Sequence, residues 1–169
     1  RPGFRYVGEA KYSNRRARLL RFSYSTDTNF IVELGHEYAR FWSNQIQANV
    51  SGVAAWSVSS VVHAAGDQVS HGGVNYVAKL GHTSGASTEP GVGASWATNW
   101  HALTGTILEV SLPYQETELF AVQYLQVKDV IYLTHPDHPV YKLVRLADTK
   151  WSAEPVAFTN YPFQDENVD

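Results

Sequence analysis

The chain of 169 residues contains no cysteine and no methionine. Without cysteine there is neither a disulfide framework nor a thiolate metal site, which suits assembly in a reducing cytoplasm. The missing methionine extends to the first position. The chain opens abruptly on Arg1-Pro2-Gly3-Phe4, as a fragment of a longer polypeptide would. No apolar run reaches membrane-spanning length and no signal-peptide pattern occurs, so no membrane insertion is expected. A net charge of −3 removes any whole-chain attraction to nucleic acid or anionic membrane. Also missing are a Gly-x-Ser-x-Gly elbow, a phosphate-cradling glycine loop and a His-Glu-x-x-His pair. No carboxylates are spaced for acid–base work on a glycosidic bond. The expectation is a protein that is not an enzyme, with no catalytic residue and no cofactor.

What is present favours β structure. Hydrophobic residues make up 44% of the chain and aromatics 13%, with Tyr the commonest aromatic at 10 residues. Tyr and β-branched residues fit pleated, half-buried surfaces. The charge is uneven: Arg1, Arg5, Lys11, Arg15, Arg16, Arg18 and Arg21 crowd the start, and Asp165, Glu166 and Asp169 the end. The basic stretch reads first as a solvated strand face and turn. A docking surface for a neighbouring subunit, or contact with DNA, is the alternative.

The middle differs from its flanks. Between residues 54 and 103 lie three of the five tryptophans, one Lys and no Arg. An all-β fold is expected: an antiparallel host domain, sandwich or propeller-blade-like, formed by residues 1–49 and 105–169 and interrupted by a small three-stranded module over residues 50–104. In the host, residues 18–24 read as a strand and residues 28–42 as a hairpin. Gly35-His36 is expected to be its type II′ turn, with Gly at the first central position. Residues 106–111 resume strand character, and residues 115–120 suggest a single helical turn. Residues 127–134 and 140–146 are β-rich runs on either side of His135-Pro136-Asp137-His138-Pro139, whose prolines should stop pairing. Residues 148–151 suggest a turn leading to a last strand near residues 156–158.

Several blocks carry a resemblance. Arg1-Pro2-Gly3-Phe4-Arg5-Tyr6-Val7, Arg18-Leu19-Leu20-Arg21-Phe22-Ser23, Phe30-Ile31-Val32-Glu33-Leu34-Gly35 and Tyr38-Ala39-Arg40-Phe41 resemble the N-terminal region of a bacteriophage tail protein family. Pro113-Tyr114, Leu119-Phe120, Asp129-Val130-Ile131-Tyr132-Leu133-Thr134-His135-Pro136 and Tyr141-Lys142-Leu143-Val144-Arg145 continue it in the same order. The resemblance implies a virion structural component of nozzle type. Its partners would be copies of itself in a ring and neighbouring tail proteins, and it would be assembled in the bacterial host cytoplasm.

The middle segment resembles the small chitin-binding modules of bacterial chitinases. The matching marks are Trp56, His63-x-x-Gly66-Asp67-x-Val69, Gly73-x-x-Tyr76-x-Ala78, Pro90 and Trp100. Gly66-Asp67 and Gly72-Gly73 are turn residues. Two departures stand out: His63 replaces the family's Tyr, and Leu80-Gly81 stand where those modules carry exposed aromatics, ahead of a flexible-looking run over residues 81–88. The candidate glycan contacts are Trp96, Trp100, Tyr76 and Trp56, for a host surface polysaccharide. Of these, Trp56, Tyr76 and Trp100 favour core packing, and Trp96 is the candidate stacking ring. An adhesion protein built on such a module is the alternative to the tail component. His135 and His138, with Asp137 between them, find no third ligand in the sequence, so no metal site is expected; His63, His71, His82 and His101 read as surface or capping residues.

Overall fold

In a computed structural model, the described residues are Gly3, residues 6–25 and residues 29–158. Period-2 alternation builds the first sheet. β1 (Arg18–Ser23), β2 (Asn29–Gly35), β3 (Tyr38–Ser43) and the two-residue β4 (Ile46–Gln47) pair antiparallel in sequence order. Leu20, Phe22, Phe30, Val32, Leu34, Ala39 and Phe41 all point to one buried face. Glu33, Tyr38, Arg40 and Trp42 alternate onto the other face.

The middle segment adds β5 (Val62–His63), β6 (Gln68–His71), β7 (Val74–Ala78), β8 (His82–Thr83) and β9 (Trp100–Ala102). β6, β7 and β9 form a three-stranded antiparallel sheet, and β5 pairs with β8. A 3₁₀ turn at Ala86–Thr88 and one helical turn, α1 (Trp96–Asn99), lead into β9. None of these helices is long enough to cross a membrane.

The chain then returns to the first sheet. β10 (Glu109–Ser111) pairs with β3, so residues before and after the module share one sheet. The last strands, β11 (Gln123–Val127), β12 (Val130–His135), β13 (His138–Ala147) and β14 (Lys150–Pro155), form an antiparallel meander. The two host sheets share a core, as in a sandwich. Trp151 of β14 is fully buried and stacks on Phe41 of β3, with centroids 4.1 Å apart at 16°. Phe22 and Phe30 meet the same indole edge-on at 5.0 and 5.5 Å. Such ring pairs add to burial itself, which is the main stabilising term. Val50, Val77 and Leu103 belong to this core cluster as well. The module's ends are tied together: Val50 N donates to Thr106 O at 2.7 Å, and Asn49 bridges Ile107.

Several local expectations are corrected. The β2–β3 turn residues are His36-Glu37, not Gly35-His36, and positive φ falls on Glu37. Gly35 is needed for space instead, because a Cβ there would lie 2.1 Å from the Tyr38 ring. Residues 115–120 make successive turns, Glu118 N to Gln115 O and Ala121 N to Glu118 O, without extending into a helix. The prolines do not stop pairing. Pro136-Asp137 is a two-residue turn between paired His135 and His138, and Pro139 sits inside β13 where the register shifts. A bulge tolerates the missing N–H donor. Among the described residues the last strand is β14, which starts at Lys150 and takes in Trp151, while residues 156–158 form no strand. The Arg1 and Arg5 of the opening block, Thr26-Asp27 and the acidic Asp165, Glu166 and Asp169 lie outside the described residues.

Candidate functional site

The inserted module is shaped by two glycine-containing turns with different reasons. Gly72 and Gly73 both have positive φ, 57° and 80°, and join paired His71 and Val74. That is the requirement of a type I′ hairpin turn. Open space surrounds both, so conformation alone selects glycine there. Gly66 (φ 87°) is different: a Cβ would lie 2.8 Å from the Trp151 carbonyl oxygen. The Gly66-Asp67 turn is therefore where module and host meet. Asp67 accepts the Ala64 N–H at 2.7 Å and pairs with Lys150 of β14 at 2.7 Å. Burial raises the Asp67 pKa, but Lys150 and the Ala64 N–H outweigh it and hold the carboxyl below its ordinary range. Gln68 Nε2 adds a bond to Thr149 O.

The four candidate aromatics divide by burial. Trp100 is 1% exposed, and its indole N–H donates to Thr88 O at 2.7 Å. His63 and His82 meet its ring edge-on, at 5.0 and 4.6 Å. Tyr76 is 6% exposed and packs with Val69, Ala78 and Trp100. Burial leaves neither Trp100 nor Tyr76 a face for a sugar. Trp56 and Trp96 are half-buried against the same cluster. Trp56 meets His71 edge-on at 5.4 Å, and Trp96 meets Tyr76 at 6.3 Å.

Histidine roles also differ from a surface reading. His63 is buried, and burial together with nearby His82 lowers its pKa. The run after Ala78 is pinned by β5–β8 pairing, by Ser84 N to Val61 O and by Val61 N to the Ser84 hydroxyl, both 2.8 Å. Leu80 is 39% exposed and no aromatic occupies its place. Two clefts of about 550 and 510 Å³ lie along the seam between module and host. One is lined by Lys79, Thr98, Glu37 and Glu154, the other by Val62, His63, Asp67 and Lys150. Neither Trp56 nor Trp96 lines them.

A buried charge cluster, which sequence reasoning missed, joins four parts of the chain. Glu109 of β10 is fully buried and contacts Lys11, Arg40 of β3 (2.9 Å) and His101 of β9 (2.7 Å). Desolvation pushes its carboxyl up. Bonds from His101 and Lys11 prevail and hold it at about 2. Beside it, the Tyr38 hydroxyl donates to Glu33 at 2.6 Å, and burial and that bond raise its pKa. The N-terminal segment covers this face, with Gly8 against the Trp42 ring and Tyr12 edge-on to Tyr38. The basic stretch is thus partly spent inside the protein. Lys11 serves Glu109, and Arg18 donates to the Leu119 and Val122 carbonyls. Arg15, Arg16 and Arg21 remain exposed.

No model of a known protein family matches this chain, and no curated protein matches it.

Proposed function

We propose that the chain is a structural subunit of a bacteriophage tail, whose host sandwich joins copies of itself and neighbouring tail proteins in a ring while the inserted module is displayed outward. The observation that carries this reading is the apolar edge strand β11. It ends its sheet and exposes Tyr124 (43%), Leu125 (65%) and Val127 (49%), with Phe120 (65%) beside it. An exposed apolar edge strand invites pairing with another chain, and proteins that stay monomeric blunt such edges with charge or proline. β11 has neither. The blocks resembling tail proteins at residues 18–23, 30–35, 38–41, 129–136 and 141–145 coincide with strands β1, β2, β3, β12 and β13, which supports the same reading. Light scattering and electron microscopy of the purified chain are expected to reveal ring-like oligomers, and Leu125→Glu to dissociate them. A wild-type chain that stays monomeric at high concentration would refute the proposal.

A second reading is a carbohydrate-binding module protein whose main role is adhesion to a polysaccharide; it rests on the half-exposed Trp56 and Trp96. Aromatic faces stack on sugar rings, and a ring of weak sites gains avidity from effective concentration. Glycan-array binding by the oligomer, lost in Trp96→Ala, is the expected result under this reading. Binding that survives Trp96→Ala, or no binding at all, would reduce the module to a structural insert. DNA contact by Arg15, Arg16 and Arg21 would instead appear as binding that weakens steeply with salt.

A further inference from the structure

His135 and His138 close the β12–β13 hairpin, one on each side of the Pro136-Asp137 turn. The fold brings a third donor to them. Glu118, from the turns that precede β11, sets its Oε2 3.0 Å from His138 Nε2. Donor atoms of Glu118, His135 and His138 all lie within 4.8 Å of one another. We propose that these three side chains form a divalent transition-metal site, with zinc the best-fitting ion, that clamps residues 115–122 to the end of the β12–β13 hairpin. This inference is independent of the tail reading.

Three observations carry it. The donor set, two imidazoles and one carboxylate, suits zinc, cobalt or nickel better than magnesium or calcium, which prefer oxygen cages. With bonds of about 2.0–2.2 Å, tetrahedral ligand atoms stand roughly 3.3 Å apart. The Glu118–His138 separation of 3.0 Å already lies close to that spacing. Supporting contacts also orient the ligands, as metal sites require. The Gln115 N–H donates to Glu118 Oε2 at 2.7 Å, leaving Oε1 without that bond. The Tyr114 ring meets His138 edge-on at 5.2 Å and lies 6.2 Å from His135, walling one side of the site. Asp137, 80% exposed, lies 3.9 Å from His135 Nδ1 at the rim. His138 and Glu118 side chains are 21% and 23% exposed, so an ion can enter from solvent. Three protein ligands leave a fourth position for water.

The untagged chain, stripped with chelator, is titrated with ZnCl₂ by calorimetry and with CoCl₂ by visible absorption. The expected result is saturable binding of one ion per chain and an intense tetrahedral cobalt spectrum. Saturating zinc should also raise the melting temperature by roughly 5 °C or more, since it binds only the folded state. Glu118→Gln and His138→Ala should each weaken binding more than about a hundredfold. His71→Ala, in the inserted module, should leave it unchanged. Circular dichroism checks that each variant folds, and His138→Gln replaces His138→Ala if that variant does not. No saturable binding by the wild type overturns the proposal, as does undiminished binding by folded Glu118→Gln and His138 variants.

Discussion

Glu109 makes the residue scale plain. In sequence it is one polar residue in an alternating stretch, where it reads as the solvent face of a strand. In the fold it is fully buried and meets Lys11, Arg40 and His101. A carboxyl held at about 2, against an ordinary 4.5, favours the folded state at every pH above the ordinary value. That contribution is lost as pH falls from about 4.5 towards 2, because the unfolded chain then takes up the proton first. The shift corresponds to about 3 kcal/mol. Urea melts between pH 7 and pH 2 should therefore show stability dropping by about that much in this window. Glu109→Gln should cost about 3–5 kcal/mol at pH 7 by leaving Arg40 buried without its partner. Its deficit should shrink at pH 2–3; a constant deficit would mean that Glu109 is not the titrating group.

Among the elements, β14 shows how a strand can be misread from sequence. Asp148-Thr149 marks the turn correctly, but Trp151 begins the packing instead of closing the turn. Local chemistry could not reveal that the Trp151 ring lies on Phe41, a partner far away in the chain. Trp151→Ala should cost about 3–5 kcal/mol, the usual loss for a buried large aromatic. Trp151→Phe should recover part of it. Chemical denaturation followed by circular dichroism would measure both, and a loss under about 1 kcal/mol would contradict the shared-core assignment. The β11–β12 hairpin was invisible for another reason. Its turn, Lys128-Asp129, has no glycine and puts Lys128 at φ 53°, so the usual punctuation is missing. The Gly72-Gly73 hairpin, where both turn residues need positive φ, was legible because nothing distant is involved.

For the whole molecule the central fact is a single host sandwich made from two segments separated in sequence. β10 pairs with β3, and the common core takes residues from both sides of the module. The Val50–Thr106 bond brings the module's ends together, so closing that gap with a short linker costs little loop entropy. A chain in which a brief Gly-Ser linker replaces residues 52–102 should still melt cooperatively with a β-type spectrum. Its melting temperature should be lower, since Val77 leaves the main core and His101 leaves Glu109. A linker-bearing chain with no cooperative transition would show that the host cannot stand without its guest.

The sequence by itself determined the all-β character, the alternating strands that face the core, the Gly72-Gly73 turn and the presence of an aromatic-rich segment between two like ones. These follow from side-chain period and backbone restriction, which act over a few residues. Only the tertiary structure decided that Glu109 is buried, that Gly66 rests on the Trp151 carbonyl, and that Glu118 meets His135 and His138. Each of those depends on which distant strand arrives opposite, and that is set by packing across sheets, a long-range balance with no signature in local spacing.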